Sequence, residues 1–390
     1  MKEAQFWKSM PAASAAGHEG RVVQCQLCPR DCLIADGKRG FCGARENQKG
    51  VLQSLVYGRP CSINIDPIEK KPLFHFAPGT RCLSIATMGC NLSCSFCQNW
   101  EISHPYRKNI GSLGSGSGGY LGSGIKAQKQ DGTGPNEGTD AFTDIDYVDP
   151  EAVVEMAMAN GLPGIAYTYT EPTIFFEYAY DIMKLARKAG LYNVWVSNGY
   201  TSPAPAKKAA RYMDAVNVDL KGDVAFYKSL CGVPAGTPAL PKRGKQESPE
   251  APMHKALKIY KDAGVWIETT TLIIPGKNDM PVVIEGIVNW VKASLGAETP
   301  MHFSRFFPHY KMVAVPPTPV ESLDVAADLA RSAGMKYVYV GNVSGRSEDT
   351  PCPKCGAVVI GRSGYSVRYK RACPKCKAEL ALAGLKWLDA

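Results

Sequence analysis

Three cysteines in one short segment have the spacing of ligands to an iron–sulfur cluster. Cys90, Cys94 and Cys97 are separated by three and two residues and follow directly on the apolar segment Cys82–Thr87. A loop with this spacing can wrap around one face of a four-iron cluster, and three thiolates leave the fourth iron without a protein ligand. An open metal position can bind a small molecule, as it does at catalytic zinc sites. A zinc site completed by a distant fourth ligand is the alternative.

Two further groups of four cysteines flank this segment. The C-terminal group is a pair of CxxC motifs, Cys352 with Cys355 and Cys373 with Cys376. This spacing is typical of a zinc ribbon, so we expect a closed, structural zinc, with an iron centre or redox dithiols as alternatives. The N-terminal group is Cys25, Cys28, Cys32 and Cys42. Four ligands in so short a segment would saturate one metal site, and either zinc or an auxiliary four-iron cluster fits.

The grouping of the cysteines argues against a disulfide framework. Eleven of the fourteen cysteines fall into the three groups, which favours metal binding. Cys61, Cys82 and Cys231 stand alone, and we predict plain buried thiols there. Metal-bound thiolates would also reduce the formal charge of +9 to about +4. Basicity is therefore weak support for a nucleic-acid partner.

Membrane and secretion signals are not visible in the chain. No apolar run is long enough to cross a bilayer, and residues 1–20 lack the continuous apolar core of a secretory signal. We therefore expect a cytoplasmic protein without a membrane partner.

Alternating strand and helix signals begin at Arg81 and stop after Gly341. The predicted strands are short and apolar or β-branched: Cys82–Thr87, Gly164–Thr168, Val194–Ser197, Ala215–Leu220, Val265–Ile273, His302–Phe306 and Tyr337–Val340. The predicted amphipathic helices are Pro150–Asn160, Thr173–Ala189, Val282–Leu295 and Val320–Ala333. Asp149 and Asp279 are the predicted N-caps, and Gly161, Gly190 and Gly334 the predicted C-caps. Repeated strand–helix units predict an α/β fold with a partial (β/α)6-type barrel, and a doubly wound sheet is the alternative.

Changes in composition predict three parts. These are a Cys-rich metal-binding segment over residues 1–75, a core barrel over 76–345 and a zinc-ribbon-like module over 346–390. The polar stretches Lys108–Thr143 and Pro234–Pro252 are predicted to be flexible insertions.

The triplet and its surroundings resemble a known family. With Phe96 directly before the last cysteine, the segment resembles the CxxxCxφC signature of radical S-adenosylmethionine (SAM) enzymes. The whole chain looks most like the relatives of pyruvate formate-lyase activase, and within them like the AmmeMemoRadiSam group. The sequence blocks that carry this resemblance are Cys25–Pro29, Asp66–His75, Gln98–Ile102, Tyr167–Thr173 and Val338–Asn342.

The resemblance implies roles for residues at the strand ends. Cys90, Cys94 and Cys97 would hold the catalytic [4Fe-4S] cluster, and Phe96 would belong to the cofactor site. Glu171 and Pro172 match a Gly-Gly-Glu-Pro-like turn that meets the SAM amino group, although the two glycines are replaced. Ser197 and Asn198 resemble residues that serve the ribose and carboxylate, and Asp219 and Lys221 resemble an Asp-Leu-Lys motif. A plain helix-start acid and a strand-end ion pair are the simpler interpretations of Glu171 and of Asp219–Lys221.

Other positions carry a weaker resemblance. Val196 replaces an acid that binds a monovalent cation in the activases, so that cation is in doubt. Ile273, Ile274 and Pro275 resemble an apolar wall beside adenine, which core packing explains almost as well. Arg305, His309 and Tyr310 are weaker candidates for the substrate side.

The function implied is reductive SAM cleavage to a 5′-deoxyadenosyl radical that abstracts hydrogen from a protein or small-molecule substrate. Activation of a glycyl-radical enzyme is the sharpest version. Radical modification of RNA or a metabolite, and a non-catalytic zinc-binding adaptor, are the alternatives. The implied partners are an electron donor such as flavodoxin or ferredoxin, and MEMO- and AMMECR-type proteins.

Overall fold

A computed structural model describes residues 1–11, 21–104, 145–234 and 250–388. The predicted insertion Lys108–Thr143, and the predicted insertion Pro234–Pro252 except for its ends, lie outside these residues. Pro252 itself occupies the first turn of a helix, because a proline there loses no helical hydrogen bond.

Small antiparallel sheets form the N-terminal segment. Its first strands are β1 (Lys2–Glu3), β2 (Trp7–Ser9), β3 (Val23–Cys25), β4 (Leu33–Ile34), β5 (Arg45–Gln48) and β6 (Val51–Ser54). They pair in the orders β1-β6-β5 and β2-β3-β4. Strands this short cannot bury a core alone, and they pack against the same apolar cluster as the central sheet.

The central sheet has eight strands. They are β7 (Pro60–Pro67), β8 (Arg81–Thr87), β9 (Gly164–Tyr167), β10 (Tyr192–Ser197), β11 (Ala215–Asp219), β12 (Trp266–Ile273), β13 (Met301–Arg305) and β14 (Val338–Gly341). Their spatial order runs consecutively from β14 to β7. Strands β8 to β14 are parallel, and β7 pairs antiparallel with β8. The α/β prediction is confirmed, and the consecutive order rules out a doubly wound sheet, in which the strand order reverses.

Helices connect the parallel strands. They are α1 (Trp100–Ser103), α2 (Pro150–Ala159), α3 (Phe176–Lys188), α4 (Pro203–Ala210), α5 (Val224–Leu230), α6 (Pro252–Asp262), α7 (Pro281–Ser294) and α8 (Val320–Ser332). The order gives six strand–helix units and a seventh parallel strand, as expected of a partial barrel. The predicted helix Thr173–Ala189 begins too early, because its first three residues belong to the 3-10 turn Pro172–Phe175 and α3 starts at Phe176.

Helix caps were predicted with one error. The Asp149 carboxylate accepts the backbone N–H of Ala152 and caps α2. Gly161, Gly190 and Gly334 follow their helices with φ of +62°, +81° and +90°, a conformation that glycine adopts without strain. Asp279 is not an N-cap, because Pro281 begins α7 directly after Met280. The Asp279 side chain instead accepts a hydrogen bond from Gly276 N.

A loop after β7 lies inside the barrel at the end where the parallel strands begin. Glu268 of β12 holds it there by accepting the backbone N–H groups of Phe74 and His75 at 2.9 and 2.8 Å. The loop thus places apolar residues such as Leu73 and Phe76 against the strands. It closes the end of the barrel opposite to the strand termini that carry the predicted site.

The C-terminal module packs on that loop. Its strands are β15 (Thr350–Pro351), β16 (Val358–Ser363) and β17 (Ser366–Tyr369), paired in sequence order. Backbone hydrogen bonds join Ala77 N to Ala383 O and Ala383 N to His75 O, both at 2.9 Å. Arg362 donates to Phe74 O at 2.7 Å. The module therefore lies far from the cysteine triplet.

The described helices include none that is both long and apolar enough to cross a membrane.

Candidate functional site

The cysteine triplet follows the carboxyl end of β8. Gly89, directly before Cys90, has φ of +109°, and a Cβ there would lie 2.6 Å from Cys42 O. Only glycine permits this conformation and close approach. Helix α5 supports the loop from the other side, because Ser93 N donates to Cys231 O and Ser95 N donates to Leu230 O.

The three thiols of the triplet are not gathered as tightly as ligands of a single ion. Charge repulsion within the triplet contributes to the raised pKa values of Cys90 and Cys97, after burial as the main cause. The sulfurs of Cys90, Cys94 and Cys97, which all belong to the described residues, do not all lie within 4.8 Å of one another. Leu92 N donates to Cys90 Sγ at 3.4 Å. Thiols with separated sulfur atoms, one of which accepts a backbone N–H, fit a cluster of several irons better than they fit a single metal ion.

The end of the next strand carries a saturated carboxylate. Glu171 is 2% exposed, and its Oε1 accepts hydrogen bonds from Thr173 N, Thr173 Oγ1 and Ser197 Oγ at 3.0, 2.6 and 2.9 Å. Its Oε2 accepts Asn198 N at 2.8 Å. Burial raises the pKa of Glu171, and the hydrogen bonds from Thr173, Asn198 and Ser197 oppose that rise. The carboxylate therefore fixes the geometry of two strand ends.

Asn198 connects these strand ends to the triplet. Its Nδ2 lies 2.9 Å from Asn91 Oδ1 and 3.8 Å from Cys90 Sγ. The turn after it needs Gly199, which has φ of +69° and would place a Cβ 2.9 Å from Val218. The Ser-Asn-Gly motif thus brings an amide against the first cysteine, and Val196 is partly exposed beside it.

Asp219 and Lys221 form an ion pair at 2.6 Å. Burial alone would lower the pKa of Lys221, but attraction to Asp219 and Cys94 outweighs it, and the pKa is raised well above 10.5. The ammonium also lies 5.8 Å from the centre of the Phe96 ring. A permanently charged lysine beside Cys94 favours the thiolate form of that cysteine.

Cys231 is a site residue that the sequence did not reveal. Predicted as a plain buried thiol, it is fully buried but hydrogen-bonds the Cys94 sulfur, and this bond is the main reason that the pKa of Cys94 is lowered. The two cysteines are 137 positions apart in the sequence, so no local pattern could reveal the contact. Of the other lone cysteines, Cys82 is fully buried as predicted. Cys61 is only partly buried, so the prediction of a buried thiol is wrong there.

The remaining predicted positions are spread around the site. Ile273 and Ile274 are fully buried, whereas Pro275 is partly exposed. Arg305 donates to Thr318 O at 2.8 Å. Met312 N donates to His309 O at 2.9 Å in a turn. Lys311 N, in the same turn, donates to Ser95 O at 3.0 Å, so the segment that contains His309 and Tyr310 contacts the triplet loop. The Tyr310 ring stacks on Trp100, with centroids 5.0 Å apart.

The four C-terminal cysteines form a compact metal-binding group. The sulfurs of Cys352, Cys355, Cys373 and Cys376 all lie within 4.8 Å of one another. The Cys352–Cys376 and Cys355–Cys373 sulfur pairs are 3.6 and 3.4 Å apart. Tetrahedral zinc with Zn–S bonds of about 2.3 Å requires sulfurs about 3.8 Å apart, so the geometry fits a single ion.

The four N-terminal cysteines line one cavity with Arg30 and Arg45. Among the described residues, no three of their sulfurs lie within 4.8 Å of one another. The two flanking groups therefore differ in geometry, although both contain four thiols.

Comparisons with known proteins found one relative by sequence and several similar structures. The chain is 40% identical over 375 residues to the uncharacterized protein MJ0808 of Methanocaldococcus jannaschii, covering 94% of this chain and 93% of that protein. A domain of pyruvate-formate lyase-activating enzyme from Bacteroides vulgatus aligns with a TM-score of 0.38 and 14% identity, over 46% of this chain and 99% of that one. A radical SAM methyltransferase from Sphaerobacter thermophilus aligns with a TM-score of 0.45 and 13% identity, over 68% and 67% of the two chains.

The family assignment rests on the sequence model of the radical SAM superfamily. It matches residues 84–284, from within β8 to within α7, which includes the triplet and the strand ends that face it. Membership implies a [4Fe-4S] cluster, SAM and radical chemistry. The chain belongs to the radical SAM superfamily.

Proposed function

We propose that this protein cleaves SAM reductively at a [4Fe-4S] cluster held by Cys90, Cys94 and Cys97, and that the product radical abstracts hydrogen from a substrate. The observation that carries the proposal is the convergence of three strand ends on the triplet. Asn198 reaches Cys90, and Lys221 acts on Cys94. Parallel barrels place their active sites at this end.

The donor set fits the cluster. Three soft thiolates, of which at least two lie more than 4.8 Å apart, leave a cubane with one iron free for a small molecule. When bound, the cluster and SAM supply the one-electron cleavage that yields methionine and the 5′-deoxyadenosyl radical. The protein contributes orientation and the exclusion of water, since Glu171, Ser197 and Asn198 are all less than a tenth exposed.

The strand-end residues have separate tasks in this proposal. Glu171 positions Ser197 and the Asn198 backbone, which face the amino acid and ribose portions of SAM. Asp219 keeps the Lys221 ammonium in place beside Cys94, where its positive charge stabilises the anionic cluster ligands. Phe96 packs on Phe226 with ring centroids 5.5 Å apart, which supports the last turn of the triplet.

The substrate proposed first is a protein. The activase hypothesis predicts hydrogen abstraction from a glycine of a partner enzyme, and the AmmeMemoRadiSam resemblance suggests MEMO- and AMMECR-type proteins as partners. RNA or a metabolite remains the alternative. The segment Phe307–Val315 supports a substrate side here, because Phe307 and Val313 are exposed large apolar side chains beside the Trp100–Tyr310 stack. A low-potential donor such as flavodoxin or ferredoxin in the cytoplasm would supply the electron.

We further propose that the C-terminal four cysteines bind a structural zinc. Their sulfur separations match tetrahedral zinc, and four protein ligands leave no open position. The module packs against the closed end of the barrel, so its metal has no contact with the strand ends that carry the triplet.

The test is anaerobic reconstitution with iron and sulfide, followed by dithionite and SAM. Wild type should form 5′-deoxyadenosine and methionine in equal amounts. The Cys90→Ala/Cys94→Ala/Cys97→Ala variant should form none, and Cys61→Ala, a cysteine outside all three groups, should match wild type. The proposal fails if the triple variant forms 5′-deoxyadenosine at the wild-type rate, or if a reconstituted wild type with its cluster present forms none with or without candidate protein substrates.

A further inference from the structure

The four N-terminal cysteines line one cavity, and their sulfurs do not converge on the position of a single metal ion. Cys25 and Cys32 are linked by a hydrogen bond from Cys25 N to Cys32 O at 2.9 Å, which folds the intervening residues into a loop. Cys28 lies within that loop and Cys42 approaches from beyond it, and all four line the same cavity. The donor set is four thiols from one short segment, with no competing carboxylate or imidazole among the described lining residues.

The other two cysteine groups of this chain allow the spacing of these thiols to be compared. The C-terminal group shows how this chain arranges four cysteines for one ion, with sulfur pairs at 3.4 and 3.6 Å. The triplet shows the wider arrangement proposed for a four-iron cluster. The N-terminal group shares the wider arrangement, because no three of its sulfurs lie within 4.8 Å of one another. In a cubane each thiolate binds a different iron, so the sulfurs stay further apart than around a single ion.

Buried cations complete the site. Arg45 is fully buried, and its Nη1 lies 3.7 Å from Cys25 Sγ while also donating to Gln5 O at 2.8 Å. Its Nη2 pairs with the Glu177 carboxylate. Arg30 reaches the cavity from the loop between Cys28 and Cys32. A guanidinium beside a thiolate stabilises an anionic centre, and a hydrogen bond to a ligand sulfur is typical of iron–sulfur sites.

The cavity lies directly behind the triplet loop. Asn91, the residue after Cys90, forms part of its wall, and Arg30 Nε donates to Asn91 O at 2.5 Å. On the same side Gly89 approaches Cys42 O so closely that a Cβ would clash. The backbone around Cys90 is therefore the partition between the two cysteine sites.

We propose that Cys25, Cys28, Cys32 and Cys42 bind a second four-iron cluster, separated from the triplet by the backbone at Gly89–Asn91. The inference rests on the proposed function, because the triplet is one of its two references for spacing. It assigns iron and sulfide, rather than zinc, to a site for which the cysteine spacing alone allowed either.

The experiment measures iron, sulfide and zinc per chain after anaerobic reconstitution with iron, sulfide and zinc together. Wild type should contain about eight iron and eight sulfide with about one zinc. The Cys90→Ala/Cys94→Ala/Cys97→Ala variant retains the N-terminal site, so it should keep about four iron and four sulfide and give the electron paramagnetic resonance (EPR) signal of a reduced cluster. Adding Cys28→Ser and Cys42→Ser to that variant should remove the remaining iron and leave the ribbon zinc, which serves as the folding control. Cys61→Ser in the same background is the matched control and should keep the four iron.

The outcomes separate this inference from the proposed function. A triple variant with no iron and about two zinc per chain would overturn the inference, whatever wild type does with SAM. A wild type that makes 5′-deoxyadenosine with only about four iron overturns it too and leaves the function intact. A triple variant with four iron, in a protein that never cleaves SAM, supports the second cluster and removes the function. Because the triple variant keeps all N-terminal cysteines, misfolding of the N-terminal variants does not affect the test.

Discussion

The carboxylate of Glu171 accepts the backbone N–H of Asn198 at 2.8 Å, and Asn198 Nδ2 lies 3.8 Å from Cys90 Sγ. One carboxylate therefore controls how an amide approaches the first cysteine of the triplet. The other oxygen of Glu171 accepts three hydrogen bonds, so the carboxylate acts as a positioning group for both strand ends.

Replacing Glu171 tests this arrangement. In Glu171→Gln, one oxygen becomes an NH2 group that faces donors, and each buried donor left without an acceptor costs about 1–3 kcal/mol. We expect a lower free energy of unfolding and at least tenfold weaker SAM binding, measured by denaturant titration and calorimetry. The control is Glu101→Gln at an exposed position, which should change neither. SAM binding at wild-type strength in Glu171→Gln would contradict the positioning role.

Asp66 inside the barrel predicts a pH dependence of stability. Burial alone would raise the pKa of Asp66, but Lys71, which is 1% exposed, together with Tyr169 and Lys70 outweighs it and holds the pKa well below its usual value. The stabilisation is therefore present above pH of about 4 and is lost as the pH falls through the folded-state pKa.

Asp66→Asn leaves the buried Lys71 ammonium without its carboxylate. We expect a loss of roughly 3–5 kcal/mol in the free energy of unfolding at pH 7, which becomes smaller toward pH 3. Asp328→Asn removes an exposed pair with Arg331 and should cost at most about 1 kcal/mol. Equal losses in the two variants at pH 7 would show that the Asp66 pair does not stabilise the barrel.

The hydrogen bond from Cys231 to Cys94 predicts an effect on reduction potential. Hydrogen bonds to cluster sulfurs stabilise the reduced, more negative cluster and raise its potential. Cys231→Ala should therefore lower the potential of the triplet cluster, measured by EPR-monitored redox titration, and slow SAM cleavage with a weak reductant. Cys82→Ala removes a buried thiol at the other end of the barrel and should leave the potential unchanged. A potential unaffected by Cys231→Ala would exclude this role.

Loss of the ribbon metal should affect stability rather than chemistry. Cys373→Ser removes one of four ligands, and zinc binding provides on the order of 10 kcal/mol to the folding of such small modules. We expect the zinc content to fall by about one per chain and the module to unfold. Because the module packs against the closed end of the barrel, 5′-deoxyadenosine formation at low temperature should persist. Zinc analysis, proteolysis of residues 346–390 and the SAM assay check these outcomes, and full loss of activity in a variant with an intact triplet cluster would contradict them.

Much of the architecture could be predicted from local patterns. The strands from β8 to β14 were predicted within two residues at each end, because parallel strands are short apolar runs that end at turn residues. The loop after β7 was not predicted, because its role depends on Glu268, nearly two hundred residues away. β7 itself shows no clean alternation of burial, so no period-two signal identifies it.

The site residues that lie together in one sequence motif could be predicted. Those that come into contact only in the folded chain could not. Cys90, Cys94 and Cys97 share one loop, and family membership is confirmed. Cys231 lies at the end of α5 and contacts Cys94 only because the loop packs there. The same reason explains the error at Asp279, whose carboxylate finds Gly276 N in a local turn and leaves the helix start to Met280 and Pro281. The specific roles of the strand-end residues stay predictions.

The central claim is that SAM binds at a cluster held by the triplet. The most direct measurement is the EPR spectrum of the dithionite-reduced protein, recorded before and after SAM is added, with SAM labelled with 15N at its amino group for hyperfine detection. We predict that wild type and Cys61→Ala show a changed signal and a coupling to the label, and that Cys90→Ala/Cys94→Ala/Cys97→Ala shows neither. A spectrum that SAM leaves unchanged in wild type, or a coupling that survives in the triple variant, would contradict the account.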